Sequence, residues 1–451
     1  MRRKKTHYYH EKISNTYSFL IPLRKKVLFY GFFDGQELQR LSPNIGVGIE
    51  PDEKLYLALK KRFPKIKFVN CAFEEYQPSD KFDYIVLNGV LGKTGDMFHI
   101  LKKIQEACHP TTKVIIYQYN YLWQHVLALA EKMGFKRKEG VQNWLSISDI
   151  NNYLEGANFQ VTRIFKKTLF PLDIFGLGKI FNFVSFVFPF FDVLKLDQFI
   201  IARPEPHLFP KGFSDSLTIC ITVRNERGNI EKIVKSIPKI CKRQEILFVE
   251  GHSTDGTKEE ILRVMKAYPQ KNIRVMGQPG IGQGDATRVG FKAAKGEIII
   301  IYEGDDTSDP RDIEYFYRAM KNGRLEFIEG SRFVYPLDKK AMPIINQFGN
   351  IFFAKWFSFF LGQRTTDVLS GIKAIHKRNF EVIYDRWGNL GVEDPFGDFE
   401  LLYGAARMGL KIGSIPIRYY PRTYGQPKTR PFTHGQYLIK MAINGYLLFR
   451  K

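Results

Sequence analysis

Two acidic residues, Glu303 and Asp305, follow a run of four isoleucines in the segment EIIIIYEGDD at positions 297–306. Consecutive isoleucines are typical of a strand buried on both faces, and residues two apart on a strand project to the same side. Two such carboxylates repel each other unless a cation lies between them, and Mg²⁺ or Mn²⁺ suits oxygen ligands. The alternative is a solvated acidic turn that caps the next helix. The pair predicts a divalent-metal site able to stabilise a departing diphosphate.

Polar residues follow three further strand-like runs in the same half of the chain. These runs lie at 216–223, 245–249 and 273–277. Ligands of open α/β sheets bind at the carboxyl ends of the strands, and a glycine loop before a helix N-terminus can bind an anion. We therefore predict a set of donor-binding residues: Asn225, Glu226, Glu250, Ser253, Asp255, Gly282, Gly284 and Asp285.

The elements that must position these residues alternate between strand-like and helical patterns through both halves of the 451-residue chain. This alternation predicts two α/β domains with mostly parallel sheets. The segment ARPEPHLFPKGFSD at 202–215 carries three prolines and a glycine, which are typical of a linker. We expect an N-terminal domain at 1–203, a linker at 204–215 and a C-terminal domain at 216–451.

The chain is strongly basic, with 68 lysine and arginine residues against 46 acidic ones, a net charge of +22. Such an excess favours polyanionic partners. No recognisable nucleic-acid motif accompanies it, so we expect an anionic membrane surface or small phosphorylated molecules rather than nucleic acid. Plain solubility is the alternative explanation of the charge.

Cysteine usage and apolar runs indicate the compartment. The four scattered cysteines form no C-x-x-C pair, so they predict neither a disulfide framework nor a zinc site and fit a reducing cytosol. The basic start lacks the apolar core of a signal peptide, and no apolar run is long enough to span a bilayer. The aromatic run at 180–191 is either buried core or a surface that touches membrane. We expect a cytoplasmic protein, peripheral at the inner face of the membrane.

The N-terminal half opens with KKVLFYGFFDGQEL at 25–38, which indicates a strand, a glycine turn and a helix, and Glu50 ends the next strand. This layout, over roughly residues 10–203, resembles the class I S-adenosylmethionine-dependent methyltransferases, whose Rossmann-like fold is then expected. The resemblance implies cofactor binding by Gly31, Gly35 and Glu50. Two positions depart from the family pattern: Phe29 replaces its acidic residue, and Phe33 replaces its middle glycine and would crowd the cofactor. A non-catalytic scaffold, an active methyltransferase and another nucleotide-binding domain remain open.

The C-terminal half carries ordered motifs that together resemble glycosyltransferase family 2, with its GT-A fold, and more closely its dolichyl-phosphate mannose synthase-like branch. The motifs are R-N-E (224–226), E-G-H-S-T-D-G-T (250–257), G-Q-G (282–284), E-G-D (303–305), G-S-R (330–332), DVLSGIKAI (367–375) and the stretch 397–429. The resemblance covers almost all of 216–451. Glu250 and His252 replace part of an acidic pair, Gln283 replaces a lysine, and Pro427 stands where serine is usual.

The family resemblance implies that an acceptor attacks a nucleotide-sugar while Mg²⁺ or Mn²⁺, held by Glu303 and Asp305, stabilises the leaving diphosphate. Arg332, Arg422 and Lys428 are the candidate catalytic cations. A polyprenyl phosphate is already ionised and needs no general base, whereas a glycan hydroxyl needs one. Asp394, in GVEDPFGDFE at 391–400, is the candidate base for a hydroxyl acceptor.

Three functional hypotheses follow. The leading one is sugar transfer from a nucleotide-sugar to a polyprenyl phosphate. The second is transfer to a glycan hydroxyl in polysaccharide or O-antigen-type synthesis, with the N-terminal domain acting as a methyltransferase. In the third, the N-terminal domain is a docking scaffold without catalysis. The aromatic segment 343–362 is either a core helix or a face that binds a polyprenyl chain or the membrane.

Overall fold

The computed structural model describes residues 2–133, 142–172, 176–209, 215–337, 341–386, 394, 396–425 and 431–450, without the side chains of 2–7 and 431–434. The chain divides into two compact units, Met1–Pro210 and Lys211–Lys451. Among the described residues, no helix combines the length and apolar character needed to span a bilayer.

The N-terminal unit is built on a seven-stranded sheet in the order β3-β2-β1-β4-β5-β7-β6. Its strands are β1 (Lys26–Tyr30), β2 (Ile45–Ile49), β3 (Lys67–Val69), β4 (Phe82–Asn88), β5 (Cys108–Tyr119), β6 (Phe159–Lys167) and β7 (Asp197–Pro204). Strand β7 is antiparallel to both of its neighbours, and the pairs among β1 to β5 are parallel. The described helices are α1 (Arg2–Leu20), α2 (Gln36–Arg40), α3 (Glu53–Arg62), α4 (Met97–Glu106), α5 (Gln124–Lys132), α6 (Ile147–Gly156) and α7 (Leu177–Val187).

The C-terminal unit contains a second seven-stranded sheet, in the order β10-β9-β8-β11-β13-β12-β14. Its strands are β8 (Ser216–Val223), β9 (Arg243–Glu250), β10 (Ile273–Gly277), β11 (Ile298–Glu303), β12 (Phe327–Ser331), β13 (Lys373–His376) and β14 (Ile412–Pro416). The described helices are α8 (Arg227–Ser236), α9 (Thr257–Ala267), α10 (Gln283–Ala293), α11 (Ile313–Lys321), α12 (Ile344–Leu361), α13 (Lys377–Tyr384), α14 (Asp398–Arg407) and α15 (Pro431–Arg450).

Strand direction decides where the polar motifs of this unit meet. Strand β13 is antiparallel to β11 and β12, so β8, β9, β10, β11, β12 and β14 all run the same way. The four isoleucines of β11 are fully buried, as predicted for a central strand. The residues that follow β8, β9, β11 and β12 therefore come together at one edge of the sheet.

Candidate active site

Arg422 lies at the centre of this edge and joins two of the sequence motifs. Its Nη1 donates to Glu226 Oε1 at 2.8 Å, and its Nη2 donates to Asp305 Oδ2 at 2.6 Å. Burial lowers the pKa of Arg422, but the carboxylates of Asp305 and Glu226 outweigh it and raise the pKa overall. A cationic side chain from the loop after β14 is thus held against the acidic pair that the sequence assigned to a metal.

Glu303 ends β11 and packs against the segment between α12 and β13. A Cβ atom on Gly371 would overlap the Glu303 carboxyl group, so any larger residue at that position would displace this side chain. Burial raises the pKa of Glu303 to about 8, with smaller contributions from the carboxylates of Asp305 and Asp398 and with Arg332 opposing. Because desolvation and like charge both disfavour its anion, this carboxyl group favours an added cation.

The acidic pair fits a divalent cation that shares its coordination with a substrate. Asp305 Oδ1 accepts hydrogen bonds from the Thr307 amide at 3.2 Å and hydroxyl at 2.7 Å, which orient the carboxylate. Among the described residues, no three His, Cys, Asp or Glu side chains converge as a complete metal cage. Mg²⁺ commonly takes one or two carboxylates and completes its shell with water and substrate phosphates, so two ligands suffice for a metal that arrives with a diphosphate.

The loops after β8 and β9 are tied together by residues predicted to bind the donor. Asn225 adopts a left-handed backbone conformation with φ 53°, which asparagine tolerates better than most residues. Its amide donates to Ser253 Oγ at 2.9 Å, and its Oδ1 accepts from the Thr254 amide at 2.8 Å. Glu250 Oε1 accepts from the Ser253 amide at 2.6 Å. Asn225, Ser253 and Glu250 therefore fix the shape of the edge.

Asp255 joins the same two loops to the loop of Arg422. It accepts hydrogen bonds from the amides of Thr257 at 3.0 Å and Arg227 at 3.2 Å, and from the Tyr424 hydroxyl at 3.2 Å. The Thr257 hydroxyl also donates to Asp255 and contributes most, and together these bonds outweigh the effect of burial and lower the pKa of Asp255. The Tyr424 ring packs directly on Gly228, where a Cβ would lie 2.6 Å from the ring. Tyr424 was not singled out from the sequence.

The glycine loop before α10 makes close backbone contacts. A Cβ on Gly284 would lie 2.7 Å from the carbonyl oxygen of Asp394. Gly282, with φ 94°, is the N-cap residue before α10, and Asp285 Oδ2 accepts a hydrogen bond from the Gly280 amide at 2.8 Å. The described contacts of Gly284 and Asp285 thus hold the loop to its neighbours, and phosphate binding there stays a prediction.

Asp394 is buried and its carboxylate caps helix α14. It accepts hydrogen bonds from the amides of Phe396 and Phe399, each at 3.0 Å, and of Glu400 at 3.1 Å. Burial raises the pKa of Asp394 and those backbone donors oppose the rise. The candidate general base is therefore turned towards backbone amides. Lys428, which the sequence assigned as a candidate catalytic cation, lies outside the described residues.

Arg332 is buried and paired with Asp367, a residue to which the sequence assigned no role. The two side chains form a bidentate ion pair with distances of 2.6 and 2.7 Å, and the Arg332 amide also donates to Asp367 at 3.1 Å. The guanidinium lies 5.3 Å from the ring centre of Tyr419. Most of the Arg332 charge is thus balanced inside the protein, although it still lowers the pKa of Glu303.

Lys373 on β13 is a second buried cation that sequence reasoning missed. Its Nζ donates to the Ser370 carbonyl at 2.6 Å and lies 3.4 Å from Asp398 Oδ1. Burial raises the pKa of Asp398 to about 6, against the effect of Lys373. Both Asp367 and Lys373 belong to the motif DVLSGIKAI, and a lone lysine in an apolar strand pattern was the available signal.

The three predicted cofactor residues of the N-terminal unit lie at the carboxyl edge of its sheet, in tight internal contacts. Gly31 has φ 78°, and a Cβ there would lie 2.7 Å from the carbonyl oxygen of Asn88. A Cβ on Gly35 would overlap Leu59. Glu50 accepts hydrogen bonds from the backbone amides of residues 32 and 52, at 3.3 and 3.0 Å. Burial raises the pKa of Glu50.

Helix α1 covers the same edge. Phe33 stacks on His10 with ring centres 4.2 Å apart. The fully buried Tyr17 donates its hydroxyl to Asn88 Oδ1 at 2.9 Å, and Asn88 donates to the Gly31 carbonyl at 3.2 Å. Side chains of α1 thus contact both the glycine turn and the residue that ends β4. These residues do not fit an open S-adenosylmethionine site.

Comparison with known proteins gives different matches for the two halves of the chain. A model described as glycosyl transferase family 2 matches residues 218–383, and one described as methyltransferase domain matches residues 6–164. Dolichyl-phosphate hexose transferase of Haloferax volcanii is 28% identical over 231 residues, which are 51% of this chain and 93% of that protein. Glycosyltransferase AglJ of the same organism is 28% identical over 216 residues, 47% of this chain and 65% of that protein. Glucosyl-3-phosphoglycerate synthase of Mycobacterium tuberculosis, solved with Mn²⁺ and UDP, has 13% identity and a TM-score of 0.37, covering 52% of this chain and 80% of that one.

Proposed function

We propose that this protein, a family 2 glycosyltransferase in its C-terminal half, transfers a sugar from a nucleotide-sugar to a polyprenyl phosphate at the cytosolic face of a membrane. The glycosyltransferase class, the GT-A fold and the methyltransferase-like N-terminal domain that the sequence predicted are confirmed. The acceptor, the metal and the membrane location are the proposal.

The main support for the proposal is that the described acidic residues just before and within α14 already bond to other groups of the protein. Asp394 accepts hydrogen bonds from three backbone amides. Asp398 is buried beside Lys373, and the buried Glu400 has its Oε2 3.8 Å from Arg288 Nη1. A hydroxyl acceptor needs a carboxylate free to take its proton, whereas a phosphate monoester is already ionised near neutral pH. Because Asp394, Asp398 and Glu400 are already bonded or ion-paired, we favour a phosphate acceptor. The relative named as a dolichyl-phosphate hexose transferase supports the same choice.

The cations of the edge suggest how charge is balanced during transfer. When bound by Glu303 and Asp305, Mg²⁺ or Mn²⁺ would supply Lewis-acid stabilisation to the leaving diphosphate. Arg422 already forms an ion pair with Asp305. A metal ion at the same carboxylate would weaken this ion pair. The guanidinium then has donors available for a phosphate oxygen, from the donor or from the acceptor. Asn225, Ser253 and Asp255 keep the surrounding loops in place.

The proposal is tested by measuring release of nucleoside diphosphate from a panel of nucleotide-sugars with Mn²⁺ or Mg²⁺, with and without a short-chain polyprenyl phosphate. We expect turnover that requires the polyprenyl phosphate. Asp305→Asn, which removes a ligand and keeps the volume, should lower it by about 10²-fold or more. Asp394→Asn serves as the control for the acceptor class, because asparagine keeps a capping oxygen and lacks a base.

The two acceptor classes give opposite results. Lipid-dependent turnover that survives Asp394→Asn supports the polyprenyl phosphate. Turnover with a glycan acceptor that Asp394→Asn abolishes would replace it with the hydroxyl mechanism. Absence of donor binding by the full chain, measured by calorimetry with each nucleotide-sugar, would remove the transferase proposal itself.

A further inference from the structure

Helix α7 of the N-terminal unit turns its polar side inward and its apolar side outward, the reverse of a helix in a soluble protein. Its inward side presents small or polar residues: Gly178 and Ser185 are buried, and Asn182 bonds to the backbone of Leu169 and Phe170 at 2.7, 3.0 and 2.8 Å. A soluble helix buries its apolar stripe and exposes its polar one. The apolar side of α7 therefore faces outward and is largely exposed, although the Phe181 ring lies 5.8 Å from the ring of Phe170.

The outward side of α7 and the turn after it form a surface of exposed apolar side chains, termed the 177–194 surface. Phe183 is 65% exposed and Phe190 is 69% exposed, with Ile180, Val187 and Leu194 also exposed. The neighbouring segment 121–133 extends it, because Trp123 Nε1 donates to the Leu194 carbonyl at 2.7 Å, and Leu129 and Met133 are exposed. Apolar patches of this kind on a protein surface mark interaction sites.

The charges around the 177–194 surface are mostly positive. Within residues 177–194 the charged residues are Lys179, which is exposed, and Asp192, which is paired with Lys195 at 2.7 Å. Helix α1 reaches this surface, because the Tyr8 hydroxyl lies 3.5 Å from Asn182 of α7. The exposed Lys179 among exposed aromatic residues matches the two signals, apolar insertion and attraction to anionic headgroups, that together give stable membrane attachment.

A cluster of cations lies behind this surface. Lys12, Arg163 and Lys195 are near enough to Lys167 to contribute, after burial, to lowering its pKa to about 7. Asp197 is the acidic group that opposes them. Asp192 also pairs with Lys195, but the basic groups outnumber the acidic ones here, so an anionic surface placed nearby is favoured electrostatically.

We propose that the N-terminal unit is a membrane-docking module, and that the 177–194 surface inserts its aromatic side chains into the headgroup region of an anionic lipid bilayer. This deepens the membrane location proposed above but rests on the N-terminal surface alone. It assigns a role to a methyltransferase-like fold whose cofactor edge is filled by its own helix. The occupant is a lipid surface, and a second copy of this chain is the alternative that the experiment excludes.

The test is flotation of the full chain with lipid vesicles, which measures membrane binding independently of sugar transfer. Vesicles of phosphatidylcholine with about 30% phosphatidylglycerol are compared with pure phosphatidylcholine. We expect binding to the anionic vesicles that the double variant Phe183→Glu, Phe190→Glu weakens by about tenfold or more. The matched control is the double variant Leu23→Glu, Leu57→Glu, which changes two leucines of similar exposure elsewhere on the unit and should bind like the unmodified chain.

Insertion is measured directly by a second variant, Phe190→Trp, in vesicles made with brominated lipids. The brominated lipids should quench the fluorescence that the new tryptophan adds. This measurement of insertion does not depend on a variant that loses binding. Three results would overturn the proposal: no binding of the unmodified chain, equal binding of the double variant, or an unmodified oligomer that the double variant converts to monomer. The last result would make the surface an interface between copies.

Discussion

A buried glutamate next to the active edge should make the stability of the C-terminal unit depend on pH. Glu329 on β12 is fully buried, and neither of its carboxyl oxygens has a hydrogen-bond partner among the described residues. Burial raises the pKa of Glu329 to about 8 from an ordinary value of 4.5. Lys373, its partner across the β12–β13 ladder, opposes the rise, while Asp367 and Asp398 add to it.

The sign and size follow from proton linkage. Because the pKa is higher in the folded chain, the folded state holds a proton that the unfolded state releases between about pH 4.5 and 8. The contribution is therefore fully present below pH 4.5 and is lost as the pH rises to about 8. The full shift corresponds to at most about 5 kcal/mol. Relaxation and water penetration around the ionised group reduce it, and we expect about 2 to 3 kcal/mol.

Glu329→Gln removes this titration while keeping shape and volume. Relative to the unmodified chain, the variant should gain about 2 kcal/mol in free energy of unfolding at pH 8.5 and gain little at pH 5.5. Since the chain has two units, urea unfolding is followed by pulsed hydrogen exchange and mass spectrometry of peptides from β12 and β13, which report the C-terminal unit alone.

The matched control is Glu326→Gln, whose carboxylate accepts the Lys411 amide at 2.9 Å. The pH dependence assigned to Glu329 should remain in this control, because Glu329 itself is intact. Parallel pH profiles for Glu329→Gln and the unmodified chain would refute the reasoning, because they would show that Glu329 is ionised in the folded state.

Three further predictions concern the two sites. Gly371→Ala places a Cβ against the Glu303 carboxyl, so the Mn²⁺ concentration for half-maximal turnover should rise by about tenfold or more; a metal titration of diphosphate release checks this. Arg422→Gln should lower kcat by about 10²-fold, and Arg422→Lys by less because it keeps the charge; equal losses in both would contradict a charge role. S-adenosylmethionine at about 1 mM should give no heat of binding in calorimetry with the full chain, and Phe33→Gly should not create it, because Tyr17 still covers the edge.

The elements that carry strong local patterns were predictable. The run of isoleucines marked β11 as a central strand, and its four isoleucines are fully buried. The segment at 216–223 became β8 with the same bounds. Periodicity and turn residues act within a few positions along the chain, so these features need no knowledge of the rest of the fold. The linker bounds and the roles of the site residues stay predictions.

Pairings between distant charges were not predictable. Asp367 lies 35 positions from Arg332, and Arg422 lies 117 positions from Asp305, yet each pair forms close ion pairs. Asp394 seemed free to act as a base in the sequence, and only the turn before α14 shows that its carboxylate faces three amides. Which partner a charge finds depends on the packing of whole elements, not on its neighbours in the chain.

The amino-acid sequence by itself determined that the chain has two α/β halves, where their main strands lie, and that the second half resembles the glycosyltransferases of family 2. Tertiary structure alone decided that Arg422 meets Asp305, that α1 closes the edge over Gly31, and that α7 turns its aromatic side outward. As a pattern, the apolar run at 180–191 is compatible with a buried core and with a membrane surface. It is the bonding of Asn182 to the strand exit that fixes the rotation of α7 and so exposes Phe183.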